Sequence, residues 1–309
     1  MKKFLVILFL LGSFVIKAQQ SEHYSQYSFN NFGYNPAFLG TVKCLDFRVG
    51  YRLQWVGFEG APKSKFASFQ YPRRKRSTKN GARHAFGVYI NEDEVHLTTR
   101  TMIKLAYAYT TRLSSKYTIS AGIFAGIQQY NISVENQLNS TDPVLANIGG
   151  AEIRYPDIMP GILVYNKSFY WSFSINQLYF KNINLGQDQT QVNQYYFGSG
   201  HKAKFGSWTV FKSFLLKWNV MAPPALDLNI AWLYRDKFSL GLGYRVGESA
   251  IANVKFNLGT MQIGYAFDYP LNQIYGNYSH EIMIGFTGCN AIGGASNGSV
   301  KSYVCPAYN

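Results

Sequence analysis

Apolar and polar residues alternate along this chain in runs too long for ordinary globular strands. At 45–52, Leu45, Phe47, Val49 and Tyr51 oppose Asp46, Arg48 and Arg52. At 103–110, Ile103, Leu105, Tyr107 and Tyr109 oppose Lys104 and the small Ala106 and Ala108. Leu226, Leu228, Ile230, Trp232 and Tyr234 oppose Asp227, Asn229 and Arg235. Ala252, Val254, Phe256 and Leu258 oppose Asn253, Lys255 and Asn257, and Tyr265 and Phe267 oppose Gly264 and Asp268. A period of two puts successive side chains on opposite faces of a strand. Many runs span about 8 to 13 residues, near the length of a tilted membrane strand and beyond the five or six of a globular one. The apolar faces end in Tyr, Trp or Phe, as a membrane interface belt requires.

The N-terminus fits an exported chain. Lys2 and Lys3 precede an apolar stretch from Phe4 to Val15, and Ala18 offers a small residue before Gln19. This is a signal peptide over 1–18. Beyond it no window holds 18 consecutive apolar residues, so no membrane helix is expected. Charged residues make up only 15% of the chain while aromatics reach 17%, with 24 Tyr and 23 Phe. Few charges with so many aromatic rings are unusual for a soluble protein and suit a barrel with aromatic girdles. The net charge of +14 falls to about +11 once Lys2, Lys3 and Lys17 leave with the signal. A closed barrel pairs every backbone group internally, the remaining way to cross lipid without helices.

The fold class is therefore all-β: one transmembrane antiparallel barrel of about fourteen strands. Centres fall near 48, 67, 86, 105, 122, 161, 174, 200, 214, 230, 242, 254, 265 and 283. The organisation reads as signal 1–18, a periplasmic or lumenal segment 19–43, a barrel 44–287 and a periplasmic tail 288–309. Short inner turns at 113–116, 166–169, 205–208, 235–238 and 258–260 contrast with outer loops at 54–63, 91–98, 132–156, 182–192, 221–224, 247–249 and 270–279. A longer inner turn spans 72–81. Cys289 and Cys305 could close a loop in the tail, leaving Cys44 over, and Cys44 could equally pair with either.

No catalytic or cofactor signature emerges. The histidines are scattered without metal-ligand spacing, and the motifs of serine hydrolases, zincins and phosphate loops are absent. No cofactor, metal or nucleic acid is expected. Arg73, Arg74, Lys75 and Arg76 form the densest charge run, a docking patch or a solvated turn. On the polar faces, Arg48, Arg52, Lys104 and Lys255 make a basic lumen. It could accept an acidic peptide, or pair with Asp46, Asp227, Asp268 and Glu281 and close the pore. In the loop joining the first two strands, Trp55, Phe58 and Lys63 are candidate partner contacts. Gly57, Gly60 and Pro62 fix tight turns there, so the loop either plugs the mouth or packs as a hairpin.

Several stretches resemble one family. Gln26-Tyr27-Ser28-Phe29-Asn30 is followed by Tyr34-Asn35-Pro36-Ala37-Phe38-Leu39-Gly40, and the first hairpin runs Tyr51-Arg52-Leu53-Gln54-Trp55-Val56-Gly57-Phe58-Glu59-Gly60-Ala61-Pro62-Lys63. Asp227-Leu228-Asn229, Gly241 to Arg245, Gly264 to Tyr269 and Ser279-His280-Glu281-Ile282-Met283-Ile284-Gly285 follow in order. Together they resemble the PorP/SprF family of type IX secretion membrane proteins. That resemblance implies an outer-membrane barrel serving type IX secretion and, in gliding bacteria, display of surface adhesins. Its partners would be an adhesin with a type B C-terminal signal domain, the periplasmic lipoprotein ring of the motor, and outer-membrane lipid. Asn35, Pro36, Gly60, Pro62, Arg245, Asp268, His280 and Glu281 would be structural members of the motifs, with His280-Glu281 expected to bond Arg52 or Arg245. The runner-up function is a porin-like or fatty-acid-transporter-like solute channel.

Overall fold

The period-two runs become strands that close on themselves. The computed structural model describes residues 23–41, 44–73, 82–132, 152–178, 192–220, 222–272, 277–288 and 305. Fourteen strands follow one another: β1 (Leu45–Leu53), β2 (Lys63–Arg73), β3 (Arg83–Val95), β4 (Thr98–Arg112), β5 (Thr118–Ile132), β6 (Glu152–Tyr165), β7 (Phe169–Asn176), β8 (Gln194–Phe205), β9 (Trp208–Asn219), β10 (Ala222–Tyr234), β11 (Phe238–Arg245), β12 (Ser249–Leu258), β13 (Met261–Pro270) and β14 (Ser279–Gly288). Each pairs antiparallel with its sequence neighbours, and β1 pairs with β14, so the sheet is a closed barrel. Closure leaves no edge strand with unpaired backbone groups, which is what a bilayer demands.

The alternation sorts the two faces as read from the sequence. Asp46, Arg48 and Arg52 are buried inside, while Phe47 and Tyr51 point out and are exposed. On β4, Met102, Lys104, Ala106 and Ala108 are buried and Ile103, Leu105, Tyr107 and Tyr109 face outward. The exposed apolar exterior is the surface a membrane covers. An apolar exterior around a polar lumen is the build of a membrane-spanning barrel.

Three of the expected loops change their bounds, and at 132–156 the last five residues belong to β6, which begins at Glu152. The loop expected at 91–98 is mostly strand, because β3 runs to Val95 and β4 begins at Thr98. The outward face there turns charged, with Lys63 bonded to Glu94 at 3.3 Å and Lys65 to Glu92 at 2.8 Å. These strands therefore climb past the apolar band, and their polar rungs hid the strand in a reading tuned to apolar alternation. The loop expected at 221–224 is absorbed into β10, whose register shifts between Ala222 and Ala225 around Pro223 and Pro224. A bulge is where a strand tolerates proline. The expected signal peptide at 1–18, residues 133–151 and 179–191, and most of the expected tail lie outside the described residues.

The expected tail disulfide is corrected. Cys44 is disulfide-bonded. With three cysteines in the chain, a Cys289–Cys305 bond is then excluded, and the alternative that engages Cys44 holds. Barrel closure explains this, since the β1–β14 register sets Leu45 opposite Gly288 and brings Cys44 to where the chain leaves the last strand. Cys305 is buried in the same apolar cluster as Cys44, with Phe38, Tyr165 and Tyr170.

Candidate functional site

The lumen is filled by the segment that precedes β1. Residues 23–41 run inside the barrel, and nearly all are buried. Their aromatic residues have no strand period, and they make the core. Tyr24, Tyr27, Phe29, Phe32 and Tyr34 cluster with Phe66, Tyr89, Phe124 and Tyr196 from the wall. Phe32 lies 4.9 Å from the Phe124 ring, and Tyr34 meets Tyr196 edge-on at 5.5 Å. Burying one such side chain stabilises by about 1.5–3 kcal/mol, so several together can hold the segment in place.

A single helical turn α1 (Asn31–Tyr34) and a 3-10 turn Pro36–Phe38 shape the segment. Asn35 is extended between them and caps the second turn by accepting from the Ala37 N–H at 2.8 Å. Its Nδ2 donates to the carbonyls of Ile162 and Phe173, at 3.1 and 3.0 Å, so it ties the plug to β6 and β7. Pro36 suits the first position of the turn, where its missing N–H costs nothing. The wall makes room with glycine. A Cβ on Gly122 would stand 2.5 Å from the Pro36 carbonyl carbon, and one on Gly161 would collide with the Asn35 side chain.

At the Leu53 end of the lumen, charges lock the start of the plug. Arg52 pairs with Asp268 at 2.7 Å and with Glu281 at 3.3 Å. Glu281 also accepts the backbone N–H of Ser25 at 2.7 Å and of Gln26 at 2.9 Å. The Ser25 hydroxyl donates to Asp268 at 2.6 Å and accepts from Arg52. Arg245 bonds Asp227 at 2.7 Å and Glu248 at 3.0 Å, and Lys217 reaches Asp227 at 2.7 Å. Lys217 also meets His23 Nδ1 at 2.8 Å. Burial, and then the neighbouring Lys217 ammonium, hold the His23 imidazole well below its ordinary value. Neutral His23 thus accepts from Lys217 rather than adding another positive charge. Buried ions are tolerated when each meets an opposite charge and further hydrogen bonds.

A PorP/SprF model, described as type IX secretion system membrane protein, matches residues 16–286. The chain belongs to the PorP/SprF family. No curated protein matches it. Among solved structures, the CymD monoaromatic hydrocarbon channel superposes with a TM-score of 0.53 at 11% identity, covering 86% of this chain and 93% of that one. The Pseudomonas putida toluene transporter TodX gives 0.50 at 10% identity, covering 88% and 96%. Likenesses this distant in sequence show the shared outer-membrane barrel fold.

The PorP/SprF motif residues fall into place on this frame. Asn35 and Pro36 belong to the plug, and Arg245, Asp268 and Glu281 to the charge lock. His280 faces outward and bonds the Tyr265 hydroxyl at 2.8 Å, so the adjacent pair splits across the wall. The first hairpin does not enter the mouth. Val56 and Phe58 are exposed, Val56 N–H donates to Tyr278 O, and His96 N–H donates to Gly60 O. Trp55, Gly57 and Gly60 hold positive φ, so the loop is a shaped rim hairpin. Pro62 closes it, its carbonyl accepting from Gln54 N–H.

Among the basic candidates, Arg48 bonds Asp46 at 2.8 Å, and Lys104 bonds Asp157 at 2.7 Å and Asn176 at 3.1 Å. With Arg52 they satisfy acids of the wall, the pore-closing arrangement. Lys63 bonds Glu94 on the exterior. Arg73 ends β2, and Arg74, Lys75 and Arg76 lie outside the described residues. Sequence reasoning missed His23, Ser25, Lys217 and Asp157. Lys217 stands in a lumen-facing position of β9, and its alternation could have found it. His23 and Ser25 carry no local signal.

Proposed function

We propose that this barrel binds, exports or anchors a surface protein within type IX secretion, with an adhesin bearing a type B C-terminal signal domain as its cargo. The observation that carries the reading is the occupied lumen: residues 23–41 fill it, and Arg48, Arg52, Lys104, Lys217 and Arg245 are spent on acids of the wall and on the plug. A wall so engaged suits a docking platform better than a solute path. The rim supports this, since Phe58 and Val56 are presented beyond the strands rather than folded inward. Apolar side chains held out on a shaped hairpin are contact material for a protein. The motor lipoprotein ring would engage the opposite end.

Affinity purification of a tagged full-length barrel from its native envelope tests the proposal. The expected result is recovery of a large surface protein and of motor lipoproteins, with the surface protein reduced by F58A. Recovery of neither, from membranes that contain both, would refute it.

A further inference from the structure

One lumenal cation stands apart from the paired ones. Lys255 projects inward from β12, directly opposite Ser239 of β11 and Gly264 of β13. Among the described residues no ion pair or hydrogen bond reaches it. The charged groups that bear on it are Arg48 and Lys202, both cations. Arg48 is already bonded to Asp46 and to the Phe29 carbonyl. Lys255 lines a cavity of about 50 Å³ between plug residues Gln26, Ser28 and Phe29 and the wall of β9 to β12.

That lining contains no carboxylate. It does contain donors. The Ser239 and Thr209 hydroxyls border it, and the buried Nδ2 of Asn253, two residues from Lys255 on the same face, has no hydrogen-bond partner. Phe211, Ala231 and Leu233 supply apolar walls. An ammonium in a restricted, low-dielectric space gains most from an opposite charge. The volume admits one carboxylate on a short stem and little more.

We propose that Lys255, with Asn253 and Ser239, forms a carboxylate-binding site between plug and wall. This deepens the docking reading, since an acidic group on exported protein is one source of such a carboxylate. A free small carboxylic acid is the other.

The full-length barrel in neutral detergent, titrated with sodium acetate against sodium chloride at equal ionic strength, provides the test. Ligand that binds only the folded state raises the melting temperature in proportion to ln(1 + [L]/Kd). Acetate is expected to raise it saturably and chloride not. K255M should weaken acetate by about tenfold or more, as loss of a charged hydrogen bond does. K255R should retain binding. N253L gives a second variant, expected to weaken acetate should K255M fold poorly. Acidic peptides, with free or amidated C-termini, form the other arm. Tighter binding of a peptide than of acetate assigns the site to protein, and binding of acetate alone assigns it to small acids. An unresponsive native barrel, or K255M and N253L that respond like it, would overturn the site. The cargo reading, judged by purification, would stand or fall separately.

Discussion

The two ends of the lumen are both basic, yet they behave differently. At the Leu53 end, Arg52, Arg245 and Lys217 each meet a carboxylate within 3.3 Å, and two backbone amides of the plug complete the Glu281 shell. Toward the other end, Lys255 borders a small cavity with no acid in its lining. The first region is a lock, in which each charge is needed by its neighbours. The second is an open position. Lumen-facing cations of equal appearance in sequence therefore differ in what their removal should do.

The largest effect should come from crowding the plug out. G122L drives a side chain into the Pro36 backbone, and G161L drives one into Asn35. Both variants should keep the barrel but free residues 23–41. Limited proteolysis should then cut within 23–41 while the strands survive, and a plug that stays protected would break the comparison.

Next comes the lock itself. E281A strips Arg52 of one partner and leaves the Ser25 and Gln26 amides without their acceptor. Breaking a buried pair by removing one partner costs about 3–5 kcal/mol. Hydrogen exchange at those two amides should accelerate far more than at the strands. Uniform acceleration would mean that Glu281 supports the barrel rather than the plug.

Acidification should act on the same end, more weakly. His23 is held neutral, so its folded pKa lies below the ordinary imidazole value of about 6.5. Above that value both folded and freed plug are neutral at His23, and the docked state is at full strength. Below it the freed segment takes up a proton first, so docking weakens as pH falls toward the depressed folded value. Plug protection measured against pH should show this decline, and H23Q should flatten it. An unchanged slope in H23Q would assign the decline to another group.

The smallest effect belongs to the open end. K255M should leave thermal stability unchanged or slightly raised in the absence of carboxylate, because no partner loses its charge. K217M, which removes one of the cations on Asp227, should lower it. Equal losses from both would erase the distinction.

The barrel was legible because its information is local. A lipid face and a lumen face alternate residue by residue, so β1, β4 and β10 can be read from a few neighbours each. Where the exterior rises past the apolar band, at Glu92 and Glu94, local reading mistook strand for loop. The pairing of lumenal cations with lumenal acids was one of two readings, and partners such as Lys104 and Asp157 lie far apart in sequence. The plug was hardest. Tyr24, Phe29 and Phe32 have no period, and their partners Phe66, Tyr89 and Phe124 sit on three different strands. The bonding of Cys44 depends in the same way on closure of β1 against β14, which no local pattern reports.

The central claim is that residues 23–41 close the lumen, the observation on which the proposed docking role rests. Planar-bilayer conductance of the purified native barrel tests it most directly, with G161L alongside. The account predicts no steady conductance from the native barrel and clear channel openings from G161L. Stable openings of the native barrel, of the same size as those of G161L, would contradict it.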